Sequence, residues 1–196
     1  MARYMNRFKA MLMVSLMSAA PFAMADYQLE KVSSSVNFLS TKNVNVTESH
    51  TFDNFTGSIT EDGALSLVVD LTSVNTLIPI RNERMQTMLF NVASFANAKF
   101  TAQLDDSLLS LLPGERKLAT VEGELSLSGA SSKLSFDIVV TGLTNGQLSA
   151  ATVKPTVINA ADFGLTGGVE ALREVAKLQN ISQTVPFTFY VVFNNN

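Results

Sequence analysis

Two arginines, Arg81 and Arg84, stand one helical turn apart in the stretch IRNERMQTMLF (residues 80–90), with Met85 and Met88 close behind. At i and i+3 they share a helix face and repel mildly, and Glu83 has no basic residue three or four positions away to pair with. The arginines therefore want an external anion, a carboxylate from elsewhere in the fold, or water. An anion held there would be a phosphate or carboxylate, groups that accept two parallel hydrogen bonds from a guanidinium. The blander outcome is solvation plus an ordinary tertiary salt bridge. His50 is the only histidine, flanked by Glu48 and Asp53. That is too little for a metal site, and no serine–histidine–carboxylate arrangement is readable around it. His50 is expected at the surface or in a hairpin. Asp162-Phe163-Gly164 repeats a kinase signature, but no glycine-rich phosphate loop or catalytic loop accompanies it. It reads as a turn in which Gly164 supplies an unusual backbone angle and Asp162 is a candidate cap. Cysteine is absent, which removes thiol nucleophiles and zinc–thiolate sites. With no carboxylate cluster on an inward face either, the chain is expected not to be an enzyme.

The elements that must position these residues are mostly strands. Leu65, Leu67, Val69 and Leu71 alternate on one face after the turn signal Glu61-Asp62-Gly63. Ala119, Val121, Gly123, Leu125 and Leu127 form a second such face, and Leu134, Phe136, Ile138 and Val140 a third, which ends near the turn dipeptide Asn145-Gly146. Val185, Phe187, Phe189, Val191 and Phe193 form the last, with Pro186 placing that strand near an edge or a bulge. Val36 with Phe38, Phe100 with its neighbours, and residues 147–158 are further candidates. The total is about eight strands, spaced as in an antiparallel sandwich or barrel. Two helices interrupt them. Pro79 suits the first position of a helix over residues 79–90, and the spacing of Val169, Leu172, Val175 and Ala176 predicts another over 168–178. Residues 107–112 read as a loop or single turn.

The first residues read as an address. Arg3, Arg7 and Lys9 precede an apolar run at 10–20, and Ala23-Met24-Ala25 gives the small-x-small pattern of a cleavage site. Residues 1–25 are expected to be a signal peptide, too short for a membrane span. Residues 26–196 are then one domain, large enough to hold a core without disulfides. Removing three basic residues and no acidic ones takes the formal net charge from −3 to −6. Such a chain has no electrostatic footprint for nucleic acid. The expected compartment is the bacterial periplasm, with no stable membrane insertion.

Read in order, the motifs resemble the YceI family. Phe52-x-x-Phe55-x-Gly57-x-Ile59 is similar to a family segment near the start. Val74-Asn75-Thr76, then Arg81-Asn82, then Phe90, Phe95 and Phe100 resemble its helix and following strand. Gly123-Glu124-Leu125-Ser126-Leu127-Ser128-Gly129 with Lys133-Leu134 resembles its hairpin, and Asp162-Phe163-Gly164 its segment before the second helix. Three positions depart from the pattern. Asn82 stands where the family usually has Asp, Ala160 where an arginine is common, and Ala98 where a proline usually introduces the strand.

The resemblance implies an all-β, antiparallel, lipocalin-like eight-stranded barrel with two short helices, binding a polyisoprenoid, quinone or fatty-acyl lipid. Periodicity alone leaves open whether such a barrel is filled or hollow. If hollow, the inward Phe38, Phe136, Ile138, Val140, Phe187, Phe189 and Val191 would touch the lipid tail. Arg81 and Arg84 would touch its head group, with Met85 and Met88 as adaptable gap-fillers over one barrel opening. No cofactor is expected beyond a bound lipid or isoprenoid quinone, and a homodimer stays open. The competing readings are a filled barrel that acts through a protein partner in envelope stress or adhesion, and an enzyme acting on such a lipid.

Overall fold

The computed structural model describes residues 25–196. The expected signal peptide therefore lies, Ala25 excepted, outside the described residues. Eleven strands form one antiparallel sheet: β1 (Ala25–Lys42), β2 (Val46–Phe52), β3 (Phe55–Thr60), β4 (Ala64–Asp70), β5 (Val74–Asn75), β6 (Asn97–Gln103), β7 (Arg116–Leu127), β8 (Ala130–Gly142), β9 (Leu148–Thr152), β10 (Thr156–Asn159) and β11 (Thr184–Asn195). Eight of them close a barrel in the order β1-β3-β4-β6-β7-β8-β9-β11, with β11 pairing back onto β1. Closure removes the free edges that an open sheet would expose. The other three strands extend one end, where β2 pairs with the second half of β1, β5 with β2, and β10 with β11.

The long β1 makes this possible by serving two neighbours in turn. Its first residues pair with β3 and its last with β2. Its register against β11 shifts between Glu30 and Ser35. A carboxylate holds that bulge: Glu30 accepts from the backbone N–H groups of Val32 at 2.9 Å and Ser33 at 2.7 Å. The alternating faces of β4, β7, β8 and β11 turn inward as their sequences predict. Gly123 sits on the inner face of β7 because a Cβ there would collide with the Phe100 ring on β6. Pro186 lies opposite Val157 of the short β10, beside an edge. Asn145 and Gly146 both have positive φ, 61° and 72°, as their turn role requires.

The helices cover the barrel ends. Helix α1 (Pro79–Arg84) runs into a π-helical turn at Met85–Leu89, in which the Phe90 N–H donates to the Met85 carbonyl five residues back at 2.9 Å. Helix α3 (Thr166–Val175) packs on that turn, and it begins two residues before the start expected from its spacing. Gly168 permits the close approach, since a Cβ there would lie 2.8 Å from the Met88 carbonyl oxygen. The stretch expected to be a loop or turn forms a third helix, α2 (Asp106–Leu109), a single turn capped by the Asp105 carboxylate. It lies at the opposite end of the barrel, where the Tyr27 hydroxyl donates to the Leu109 carbonyl. The Asp162-Phe163-Gly164 turn forms as expected around Gly164 at φ 67°. Its cap, however, is Asn159, whose side chain accepts from the Ala161 N–H, and not Asp162.

Candidate functional site

The barrel is hollow. A cavity of about 180 Å³ runs between its two ends, from Phe52, Leu71 and Phe90 beneath α1 to Leu104, Leu108 and Leu148 beside α2. Close-packed interiors contain few voids larger than a water molecule, so a space of this size is not a packing defect. Its lining side chains are aliphatic or aromatic, apart from Thr56 and Ser149. Phe136 anchors the middle, edge-on to Phe100 at 5.2 Å and to Phe189 at 5.5 Å between ring centroids.

Of the residues expected to touch a ligand tail, Phe136, Ile138, Val140, Phe187, Phe189 and Val191 all line this cavity. Phe38 does not. It is buried one layer further toward α1, between Phe52 at 5.2 Å and His50 at 5.1 Å. Met88 is also outside the lining and is 38% exposed. Met85, the first residue of the π turn, is buried instead.

The arginines part company. Arg81 finds a carboxylate 33 residues away: its Nη1 donates to Glu48 at 2.8 Å and its Nη2 to the Thr76 carbonyl at 2.6 Å. Lys42 binds the same Glu48 oxygen at 2.5 Å. Arg84 is half-buried, and its guanidinium makes no hydrogen bond or ion pair among the described residues. Asn82 does not orient Arg81. Its side-chain oxygen accepts from the Thr76 N–H at 2.9 Å and hydroxyl at 2.6 Å, tying the start of α1 to the end of β5. The segment before α1 carries Leu77 in the left-handed region, φ 62°, with its side chain 86% exposed.

His50 does lie in a hairpin, the one formed by β1 and β2, but it is not at the surface: only 3% of it is exposed. The strand β2 that carries it lacks a clean apolar alternation, so its inward face is hard to read from sequence. Pairing with β1 sets Phe38 opposite His50 and Ser40 opposite Glu48. The imidazole Nε2 shares a 2.8 Å hydrogen bond with the Ser40 hydroxyl, whereas the buried Nδ1 has no partner. Burial, reinforced by the nearby Arg81 charge, holds the imidazole pKa below its usual range. Glu48 is shifted down by the Lys42 hydrogen bond and, after the opposing effect of burial, by Arg81. The described residues hold no group of three metal-ligating side chains, and no helix among them is long and apolar enough to cross a membrane.

Comparison with known proteins agrees with this architecture. A polyisoprenoid-binding domain from Saccharophagus degradans implicated in plant cell wall breakdown is 36% identical, with a TM-score of 0.86, over 88% of this chain and 100% of that one. Two more distant structures share the fold. BcnA of Burkholderia cenocepacia is 17% identical with a TM-score of 0.62, over 84% of this chain and 98% of its own. The Campylobacter jejuni YCEI protein is 16% identical with a TM-score of 0.54, over 75% of this chain and 84% of its own. No curated protein matches the chain. The model of the YceI-like domain matches residues 27–193, nearly all of the described barrel. The chain belongs to the YceI-like family.

Proposed function

We propose that this protein binds and carries, or sequesters, a long-chain amphiphilic lipid of the polyisoprenoid, quinone or fatty-acyl type, without catalysis, in the bacterial periplasm. The observation that supports this most is the continuous apolar cavity along the barrel axis. Each methylene transferred from water into such a lining contributes about 0.8 kcal/mol, so a chain of about twelve carbons gains on the order of 10 kcal/mol before ordering costs. Tight binding therefore needs no strong polar anchor. At about 180 Å³ the cavity is smaller than most drug-sized pockets, and it extends from one barrel end to the other. That shape suits a slender chain better than a bulky ring system. The similar domain from Saccharophagus degradans, itself polyisoprenoid-binding, points the same way. The location rests on the basic and apolar N-terminal sequence with its Ala23-Met24-Ala25 site.

Mass spectrometry of the organic extract of natively purified protein tests the proposal. A stoichiometric long-chain lipid is expected. A protein that yields no lipid and takes up none from mixed micelles would shift the reading to a barrel acting through a protein partner.

A further inference from the structure

Two turns at the α1 end break the same local rule. Leu77, between β5 and α1, and Val44, between β1 and β2, both take the left-handed backbone region, at φ 62° and 73°. A bulky or β-branched residue is a genuine outlier there, where asparagine or glycine is at ease. Neither side chain turns into the core in exchange: Leu77 is 86% exposed and Val44 74%. Both turns are nevertheless held. The Leu77 N–H donates to Asn75 Oδ1 at 2.9 Å, and the Val44 N–H to Asn180 Oδ1 at 3.0 Å. The Thr76 carbonyl accepts from Arg81, and the Ile78 carbonyl from the backbone N–H groups of Arg81 and Asn82. Leu77 opens a run of four exposed apolar residues, Leu77-Ile78-Pro79-Ile80, and Val46 is exposed two residues after Val44. An exposed run of this length is a fault in a soluble fold unless it serves a contact. Lys42 and Arg81 share Glu48, so both turns belong to one end of the molecule, where α1 covers the barrel.

Three observations select what the contact is. Spread over two turns, these side chains offer on the order of a few hundred Å², short of the ~800 Å² that each partner gives to a stable protein interface. A bilayer needs no such area, because each inserted side chain gains independently. It does demand that inserted backbone be hydrogen-bonded already, as the paired groups of both turns are. The Arg84 guanidinium has no partner among the described residues and lies one turn along α1 from Ile80, placed to bond a lipid phosphate once Ile80 inserts. The other charges of α1 and its ion-pair partners balance, Arg81 and Lys42 against Glu48 and Glu83, so the apolar side chains supply most of the attraction. Building on the lipid-binding reading, we propose that the α1 end docks reversibly on a phospholipid bilayer. Val44, Leu77 and Ile80 enter the boundary between head groups and acyl chains, which brings the covered end of the cavity to the membrane.

Flotation with mixed phosphatidylethanolamine–phosphatidylglycerol vesicles tests this, on protein whose co-purified lipid has been measured. The wild type should float with the vesicles. Leu77→Asn and Val44→Asn suit a left-handed backbone better than the native residues, so neither should lower the melting temperature. Each should weaken vesicle binding about tenfold, the cost of losing one such side chain from the bilayer. Val32→Asn removes an equally exposed valine at the β1 bulge and should change nothing. The chain has no tryptophan, so Ile80→Trp adds a single reporter whose emission should shift to the blue on vesicles, while that of Val32→Trp should not. Absence of flotation by lipid-loaded wild type would overturn the docking surface and leave the lipid barrel standing. Flotation by wild type that neither holds nor takes up lipid would keep the docking surface and overturn the carrier reading. Equal loss in Val32→Asn, or an unmoved Ile80→Trp emission, would overturn the docking surface. So would a wild-type dimer in sedimentation that Leu77→Asn dissolves, since the patch would then belong to a second copy of the chain.

Discussion

The waist of the barrel and its α1 end are built from the same strands yet obey different rules. At the waist, side chains of β4, β7, β8 and β11 surround open space, and no polar partner is needed because almost nothing polar is there. At the α1 end the interior is solid. Phe163 is 2% exposed, packed among buried residues that include Leu71, Val74 and Val169, and beside it lies a polar cluster held by specific pairs. The contrast shows where a hollow protein keeps its stability. A cavity gives up dispersion contacts at its walls. The closed hydrogen-bonded ladder and the packed ends must offset that loss.

Substitutions can break this contrast. The largest effect is expected at the solid end: Phe163→Ala should cost about 3–5 kcal/mol in chemical denaturation. A loss below about 1 kcal/mol would mean that this end is no better packed than the waist. At the waist, Ile138→Trp adds volume where space exists. Its stability should change by less than about 1 kcal/mol while lipid capacity falls, whereas in a filled core the same change would cost about 1–3 kcal/mol. A marked drop in melting temperature would therefore argue that the waist is filled.

Titration sharpens the polar side. His50 has a folded pKa below its ordinary value of 6.5, so the unfolded chain binds its proton first. Its share of stability is present above that value and lost as pH falls below it toward the folded pKa. Glu48 is likewise depressed from 4.5, so its share is lost only on further acidification, as pH falls below that value and through the folded pKa. Melting curves against pH should show both losses. His50→Leu should erase the first, and Glu48→Gln should reduce the second modestly, as suits a partly exposed pair. A His50→Leu protein with the wild-type profile between pH 7 and 5 would contradict the buried neutral imidazole. The smallest effect belongs to Arg84. With its guanidinium unpartnered among the described residues, Arg84→Ala should alter stability by no more than about 0.5 kcal/mol. A larger change would show that this arginine, too, is held by the fold.

Much of the waist was legible because period-two alternation needs only local sequence. Six of the seven residues expected to touch a tail line the cavity, and both expected helices form. The α1 end was less so. Arg81 and Glu48 pair across 33 residues, and neither neighbourhood announces the other. Asn82, in place of the usual carboxylate, left Arg81 without an evident orienter, and β2 supplied one. The inward face of β2 reads Glu48, His50, Phe52, a polar-to-apolar gradient that matches no strand template, so the burial of His50 within the expected hairpin was not legible. The π turn had no sequence signal, and of the two methionines expected to play the same part Met85 is buried and Met88 exposed.

The sequence by itself determined a strand-built antiparallel fold with an apolar interior; the alternating faces suited a sandwich or a barrel, and the family resemblance implied the barrel. The tertiary structure alone decided that the interior stays open and where its polar end lies. Both depend on the angle and register at which distant strands meet: a closed eight-stranded ring can be filled or hollow with the same pattern. Pairing of β2 with β1 buries His50 beside Phe38 and brings the Ser40 hydroxyl to its Nε2, contacts between strands that no local pattern announces.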